Sequence, residues 1–175
     1  MESDRKSAII TKVKMLLAIK FKKDDPIPSE VVQGLYIGSI GAALNKSFLL
    51  ENGITHILTV ADNLKNSFPD LFTYKSLEIL DTIEFNILNV FDEALEFIDS
   101  ALLNEKKVLV HCFAGKSRSA TIVCAYLMKK LSMRLEQAIE YLKSKRPCIM
   151  PNQGFLFQLA LYEKSLFPVD LSELN

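Results

Sequence analysis

Lys107-Val108-Leu109-Val110-His111-Cys112-Phe113-Ala114-Gly115-Lys116-Ser117-Arg118-Ser119-Ala120-Thr121-Ile122-Val123-Cys124-Ala125-Tyr126-Leu127-Met128 orders the rest of the chain. The apolar, β-branched run that follows the charged Glu105-Lys106-Lys107 reads as a buried strand. The apolar and small residues from Ser119 to Met128 read as a mostly buried helix. The loop between them is suited to hold a phosphate. The backbone N–H groups of Phe113, Ala114, Gly115, Lys116, Ser117 and Arg118 can point into one concavity, the helix N-terminus adds positive potential, and Gly115 permits the positive φ of a closed loop. The planar fork of Arg118 can bind two phosphate oxygens at once, which the single ammonium of a lysine cannot. At the base of this cradle Cys112 faces converging dipoles and a cation. These favour its thiolate, the nucleophilic form. Ser119 can donate a hydrogen bond to the sulfur when it departs as a leaving group, and His111 is placed to bond loop backbone and hold the loop's shape.

Two other readings of the loop fail on spacing. Gly115-Lys116-Ser117 resembles the end of a nucleotide-binding Walker loop, but that motif needs a glycine at position 110, which is Val. A zinc site needs paired ligands, and neither Cys124 nor Cys148 has a partner at metal-ligand spacing. No metal and no cofactor are expected.

His-Cys-x-x-Gly-x-Ser-Arg-Ser resembles the signature of the cysteine-dependent dual-specificity protein phosphatases, and the likeness extends from about Ile27 to Phe167. Gly34-Leu35-Tyr36-Ile37-Gly38-Ser39 looks like that family's first strand and Gly53-Ile54-Thr55-His56-Ile57-Leu58-Thr59-Val60 like its second. Lys145-Arg146-Pro147 with Pro151-Asn152-Gln153-Gly154-Phe155 looks like the boundary of its last two helices. The Phe-Ala-Gly-Lys form of the loop is similar to that of compact plant-type enzymes linked to MAP kinases. The resemblance implies a three-layer α/β fold with a central mixed sheet of about four to five strands flanked by helices. It also implies a hydrolase that cleaves phosphotyrosine and phosphoserine or phosphothreonine through a phosphocysteine intermediate, with phosphorylated proteins, MAP kinases among them, as partners. The proton for the leaving oxygen needs a separate acid. Asp81, at the end of the apolar run Leu77 to Leu80, stands where the family's acid stands. Glu84 is its rival in the same loop, and a turn or capping aspartate is the plain alternative. Phe85 and Phe113 either wall the pocket or belong to the core. Two other function classes stay open: a phosphoinositide or phosphatidylglycerophosphate phosphatase, to which Lys116 would contribute a cation, and a phospho-binding module without turnover.

Periodicity places strands near 35–38, 54–60, 74–80 and 107–111, and helices near 40–51, 86–103, 118–131, 134–145 and 152–166. Ser132 is the expected cap of the helix at 134. Lys143, Lys145 and Arg146 read as ordinary basic residues at a helix C-terminus. The chain divides into a basic amphipathic extension at 1–25, a catalytic domain at 26–168 and a tail at 169–175. Residues 1–23 carry seven basic and two acidic side chains, a charge of +5 in a chain that is neutral overall. Ile9, Ile10, Val13, Leu16, Leu17 and Lys20 lie at helical spacing. Such a helix could dock into calmodulin or onto an anionic surface, could serve as a kinase-docking segment, or could pack on its own domain. No segment approaches the roughly 18 apolar residues of a membrane span, and the N-terminal lysines interrupt any signal-peptide core. No nucleic-acid partner is expected. Three cysteines, an odd number that includes a reactive one, point to a reducing compartment, cytoplasm or nucleus.

Overall fold

A computed structural model of the chain describes residues 2–168, with the backbone alone at 2–5, so the tail at 169–175 lies outside the described residues. The order of elements is α1 (Glu2–Asp24), β1 (Ser29–Val32), β2 (Leu35–Gly38), α2 (Ile40–Ala43), α3 (Lys46–Glu51), β3 (Ile54–Val60), β4 (Thr73–Leu77), a 3-10 turn (Ile87–Val90) running into α4 (Phe91–Leu103), β5 (Lys107–His111), α5 (Arg118–Leu131), α6 (Leu135–Lys145) and α7 (Gln153–Leu166). The sheet has five strands in the order β1-β2-β5-β3-β4. β2, β5, β3 and β4 run parallel and β1 pairs antiparallel with β2, which makes the expected mixed sheet.

Alternation along the strands divides the core between two layers. Leu35, Ile37, Leu58, Val60, Val108 and Val110 face one side and pack with Phe91, Leu95, Ile122, Leu142 and Phe155 of α4 to α7. Tyr36, Ile57 and Leu109 face the other and pack with Ala43 and Leu49 of α2 and α3. The parallel strands therefore end at one edge, where Ser39, Asp62, Asp81 and Cys112 follow them in the chain.

The structure corrects several boundaries. β1 is absent from the sequence-based strand list because its four residues, of which Val31 is buried, are too short for alternation to register. It ends in a turn at Gly34, whose φ is +83°. The helix expected over 40–51 breaks in two, because Asn45 turns out of it and accepts a hydrogen bond from Phe48 N at 3.2 Å as the cap of α3. The helix expected from 86 begins as a 3-10 turn, whose Ile87 and Leu88 N–H groups both bond Gln158 Oε1. Ser132 does not cap α6. It sits in the left-handed region and ends α5, while Arg134 is the residue before α6, with its N–H on Gln137 Oε1 at 2.9 Å.

Candidate active site

Three carbonyls of the loop between β5 and α5 are drawn outward. Ile40 N donates to Phe113 O at 3.0 Å and Met150 N to Lys116 O at 2.7 Å, while Arg146 Nε donates to Gly115 O at 2.9 Å. In a trans peptide the next N–H points opposite to the carbonyl, so these contacts turn the N–H groups of Ala114, Lys116 and Ser117 toward the inside of the loop. Gly115 has φ of +65°, and a Cβ there would lie 2.6 Å from the Gly38 backbone and from Arg146 Nη2. Both conformation and space demand glycine, as the sequence anticipates. Cys112 is buried at the base, with Gly115 N donating to its Sγ at 3.2 Å and Ser119 Oγ 3.3 Å away.

Arg118 opens α5 and is almost wholly buried. Its Nη1 donates to Asp62 Oδ1 at 2.9 Å and to Ile79 O at 3.0 Å, which fixes the plane of the guanidinium. Its Nε is buried with no hydrogen-bond partner among the described residues and lies 3.6 Å from Asp81 Oδ2. Asp81 is brought to the cradle by its other oxygen: Oδ1 accepts from Ser117 Oγ at 2.7 Å and from Asn152 Nδ2 at 2.9 Å. With Oδ1 occupied by two donors, a proton carried by Asp81 belongs on Oδ2, the oxygen nearer Arg118.

His111 is fully enclosed, and burial drives its ring well below the usual value, to about 4, with its hydrogen bond to Cys112 O acting in the opposite direction. The ring is therefore neutral near pH 7. Because a carbonyl only accepts, Nδ1–H donates to Cys112 O at 3.3 Å and Nε2 accepts from Thr59 Oγ1 at 2.9 Å. His111 thus hydrogen-bonds the backbone of Cys112 and the side chain of Thr59 as a neutral ring.

Residues 35–165 match the family described as "Dual specificity phosphatase, catalytic domain". The chain belongs to this family. It is 48% identical over 161 residues to Dual specificity protein phosphatase 1 of Arabidopsis thaliana, covering 92% of this chain and 81% of that protein. It is 45% identical over 142 residues to MAP kinase phosphatase with leucine-rich repeats protein 2 of Dictyostelium discoideum, covering 81% of this chain and 20% of that longer protein. Among solved structures it resembles the human tyrosine phosphatase-like serine/threonine/tyrosine-interacting protein, with a TM-score of 0.77 and 39% identity over 79% of this chain and 96% of that one. The three-layer fold and the dual-specificity protein phosphatase activity implied by the signature both stand on these likenesses.

Several residues of this phosphatase that shape the site escape a reading by motif. Asp62, which holds Arg118, follows β3 with no distinguishing neighbours. Asn152 caps α7 through Phe155 N and at the same time holds Asp81. Arg146 is the clearest correction: it is not a solvated helix-end cation but is 4% exposed, bonding Gly115 O and clasping Asp25 at 3.2 and 2.6 Å. The Pro after it was the available hint, since the helix must stop there and Arg146 leaves it in extended backbone. Of the two aromatic residues, Phe85 packs on the core and Phe113 stands edge-on to Phe21 of α1 at 5.8 Å. Glu84 is exposed before the 3-10 turn. Cys124 is sealed in α5, where burial pushes its thiol up to about 12, and Cys148 is exposed.

Proposed function

We propose that this protein phosphatase works through Cys112 as nucleophile, Arg118 and the N–H groups of residues 113 to 118 as the phosphate cradle, and Asp81 as general acid. The Cys112 thiolate attacks phosphorus, the bond from phosphorus to the substrate oxygen breaks, and Asp81 gives that oxygen its proton. Water then attacks the phosphocysteine, Asp81 takes back a proton, and the S–P bond breaks with Ser119 Oγ hydrogen-bonding the departing thiolate. His111 keeps the loop's shape. The carrying observation is the buried Arg118 Nε, which makes no hydrogen bond among the described residues, at the end of the loop whose Cys112 Sγ lies 3.2 Å from Gly115 N and 3.3 Å from Ser119 Oγ. Acid quenching during turnover and mass spectrometry of the Cys112 peptide tests it: one added phosphoryl group is expected, absent in Cys112→Ser, which should also lose turnover. A phosphoryl group elsewhere, or full activity in Cys112→Ser, refutes it. Chelators should leave the rate unchanged.

Phosphorylated MAP kinases are the proposed substrates, supported by relatives named for that activity. Release of phosphate from doubly phosphorylated kinase, compared with a phosphoinositide, checks the assignment against the lipid reading. The cytoplasm or nucleus is the proposed location, consistent with three free cysteines and checked by imaging a tagged chain.

The N-terminal helix is the proposed docking element for calmodulin. α1 is held to the domain at Lys14 and Phe21 and, just past its end, at Asp25, yet Ile9, Ile10, Val13, Leu16 and Leu17 remain 40% to 63% exposed. An apolar stripe interleaved with lysines suits a helix-in-groove partner. Calorimetric titration of the full chain with calcium-loaded calmodulin should show binding that Leu16→Asp abolishes. No heat at micromolar protein sinks this reading.

A further inference from the structure

One face of α1 does not rest flat on the domain. It bounds a trough of about 1220 Å³ that Ile10, Met15 and Ala18 line from the helix and Ile40, Leu64 and Phe113 line from the catalytic edge. Phe113 is the residue after Cys112, so the trough begins where the phosphate cradle ends. Its far wall is tied to the same machinery. Lys14 of α1 pairs with Asp62 at 3.0 Å, Asp62 holds Arg118 at 2.9 Å, and Asp25, just past the helix, clasps Arg146, which bonds the loop. A Cβ on Gly41 of α2 would come within 2.1 Å of Phe21 O, so α2 and the end of α1 meet backbone to backbone. α1 is therefore a braced wall of this trough and not a loose appendage. Lys6, Ser7, Thr11, Lys14, Asn63 and Lys65 complete the lining; Lys14 is paired with Asp62, while Lys65 makes no ion pair among the described residues.

A trough with an apolar floor, a cation beside it and an origin at the phosphate site fits what flanks the phosphate on a protein chain. We propose that it binds the substrate segment on one side of the phosphorylated residue, accepting an aliphatic or aromatic side chain between α1 and Leu64 with a carboxylate near Lys65. This rests on the reading of Cys112 and Arg118 as the reacting site and names the substrate class that site prefers. Apolar contact of this kind acts equally on bound substrate and transition state, so it should appear in KM.

The test uses the full chain and four probes: a small aryl phosphate, a phosphotyrosine peptide with only Gly and Ser beside the phosphotyrosine, the same peptide with Leu and Glu on one side, and a short-chain phosphoinositide. The Leu/Glu peptide should exceed the Gly/Ser peptide on the order of 10-fold or more in kcat/KM, through KM. Ile10→Asp and Lys65→Glu, both at exposed positions, should each lower the ratio of the Leu/Glu peptide to the aryl phosphate about 10-fold or more. Equal effects on both peptides, or a loss confined to the phosphoinositide, overturns the proposal, the latter by assigning the trough to an acyl chain. Calorimetric binding of the two peptides to Cys112→Ser reads the trough without turnover, so failure of the catalytic assignment is separable: the Leu/Glu peptide must still bind tighter, and by less in the Ile10→Asp background.

Discussion

Replacing Asp81 by Asn separates a catalytic acid from a structural aspartate because the substitution changes so little else. The amide oxygen of Asn can still accept from Ser117 Oγ and Asn152 Nδ2, the 2.7 and 2.9 Å bonds that Oδ1 now receives. What disappears is the ability to carry a proton and the 3.6 Å ion pair of Oδ2 with Arg118. That long pair, with the Asp81 side chain 35% exposed, contributes at most about 1 kcal/mol, or roughly fivefold if all of it went into the aim of Arg118. General acid catalysis contributes about 10²- to 10⁴-fold. The two explanations are therefore far enough apart to measure. A phosphotyrosine peptide, whose leaving oxygen needs a proton, should slow by on the order of 10²-fold or more in Asp81→Asn. An aryl phosphate with a strongly acidic leaving group should slow by no more than about fivefold, and Tm should move by only about 2–4 °C. Equal slowing of the two substrates would refute the acid role of Asp81, and Glu84→Gln would then be measured with the same pair.

Two further outcomes concern stability. Arg146→Ala strands Asp25 and the Gly115 carbonyl; breaking a buried pair costs about 3–5 kcal/mol, and because Asp25 is 27% exposed we expect about 3 kcal/mol, seen as a fall in Tm of roughly 6–12 °C. Unchanged melting would show that Arg146 does not brace the loop. His111 titrates at about 4 when folded against its ordinary 6.5, so below pH 6.5 the unfolded chain takes up a proton that the native ring refuses. Its contribution is complete above that pH and is lost as pH falls from 6.5 to 4, about 3 kcal/mol in all. Urea unfolding from pH 6 to 4.5 should therefore steepen in the native chain relative to His111→Gln, and parallel slopes would contradict a buried neutral ring.

The parts of this molecule that could be read from the chain are those whose meaning is local. Val108 to Met128 carries strand, loop and helix in one uninterrupted run, and the contacts among Cys112, Gly115 and Ser119 follow from positions within that run. Asp81 is legible because it follows the apolar run Leu77 to Leu80, although β4 itself ends at Leu77 and the closeness of Asp81 to the loop is not legible. Asp62, Asn152 and Arg146 belong to a different kind of information. They reach the cradle because β3 ends beside β5 and because α6 and α7 turn back toward that edge, and the strand order that does this pairs residues some fifty positions apart, such as Thr59 with His111. Spacing along the chain does not encode that proximity. Each of the three also has a sufficient local explanation, as strand end, helix cap and helix-end cation, so nothing in the sequence marks it as surplus. α1 shows the same limit from the other side. Its stripe of Ile9, Ile10, Val13 and Leu16 looked like one apolar face needing one partner, but Ile10 lines the trough beside the active site while Ile9, Val13 and Leu16 are absent from its lining. The periodicity of a helix identifies which residues share a face. Only the packed domain determines which of those faces meets it, and here the answer joins the N-terminal segment, through Lys14 and Asp62, to the arginine of the proposed phosphate cradle.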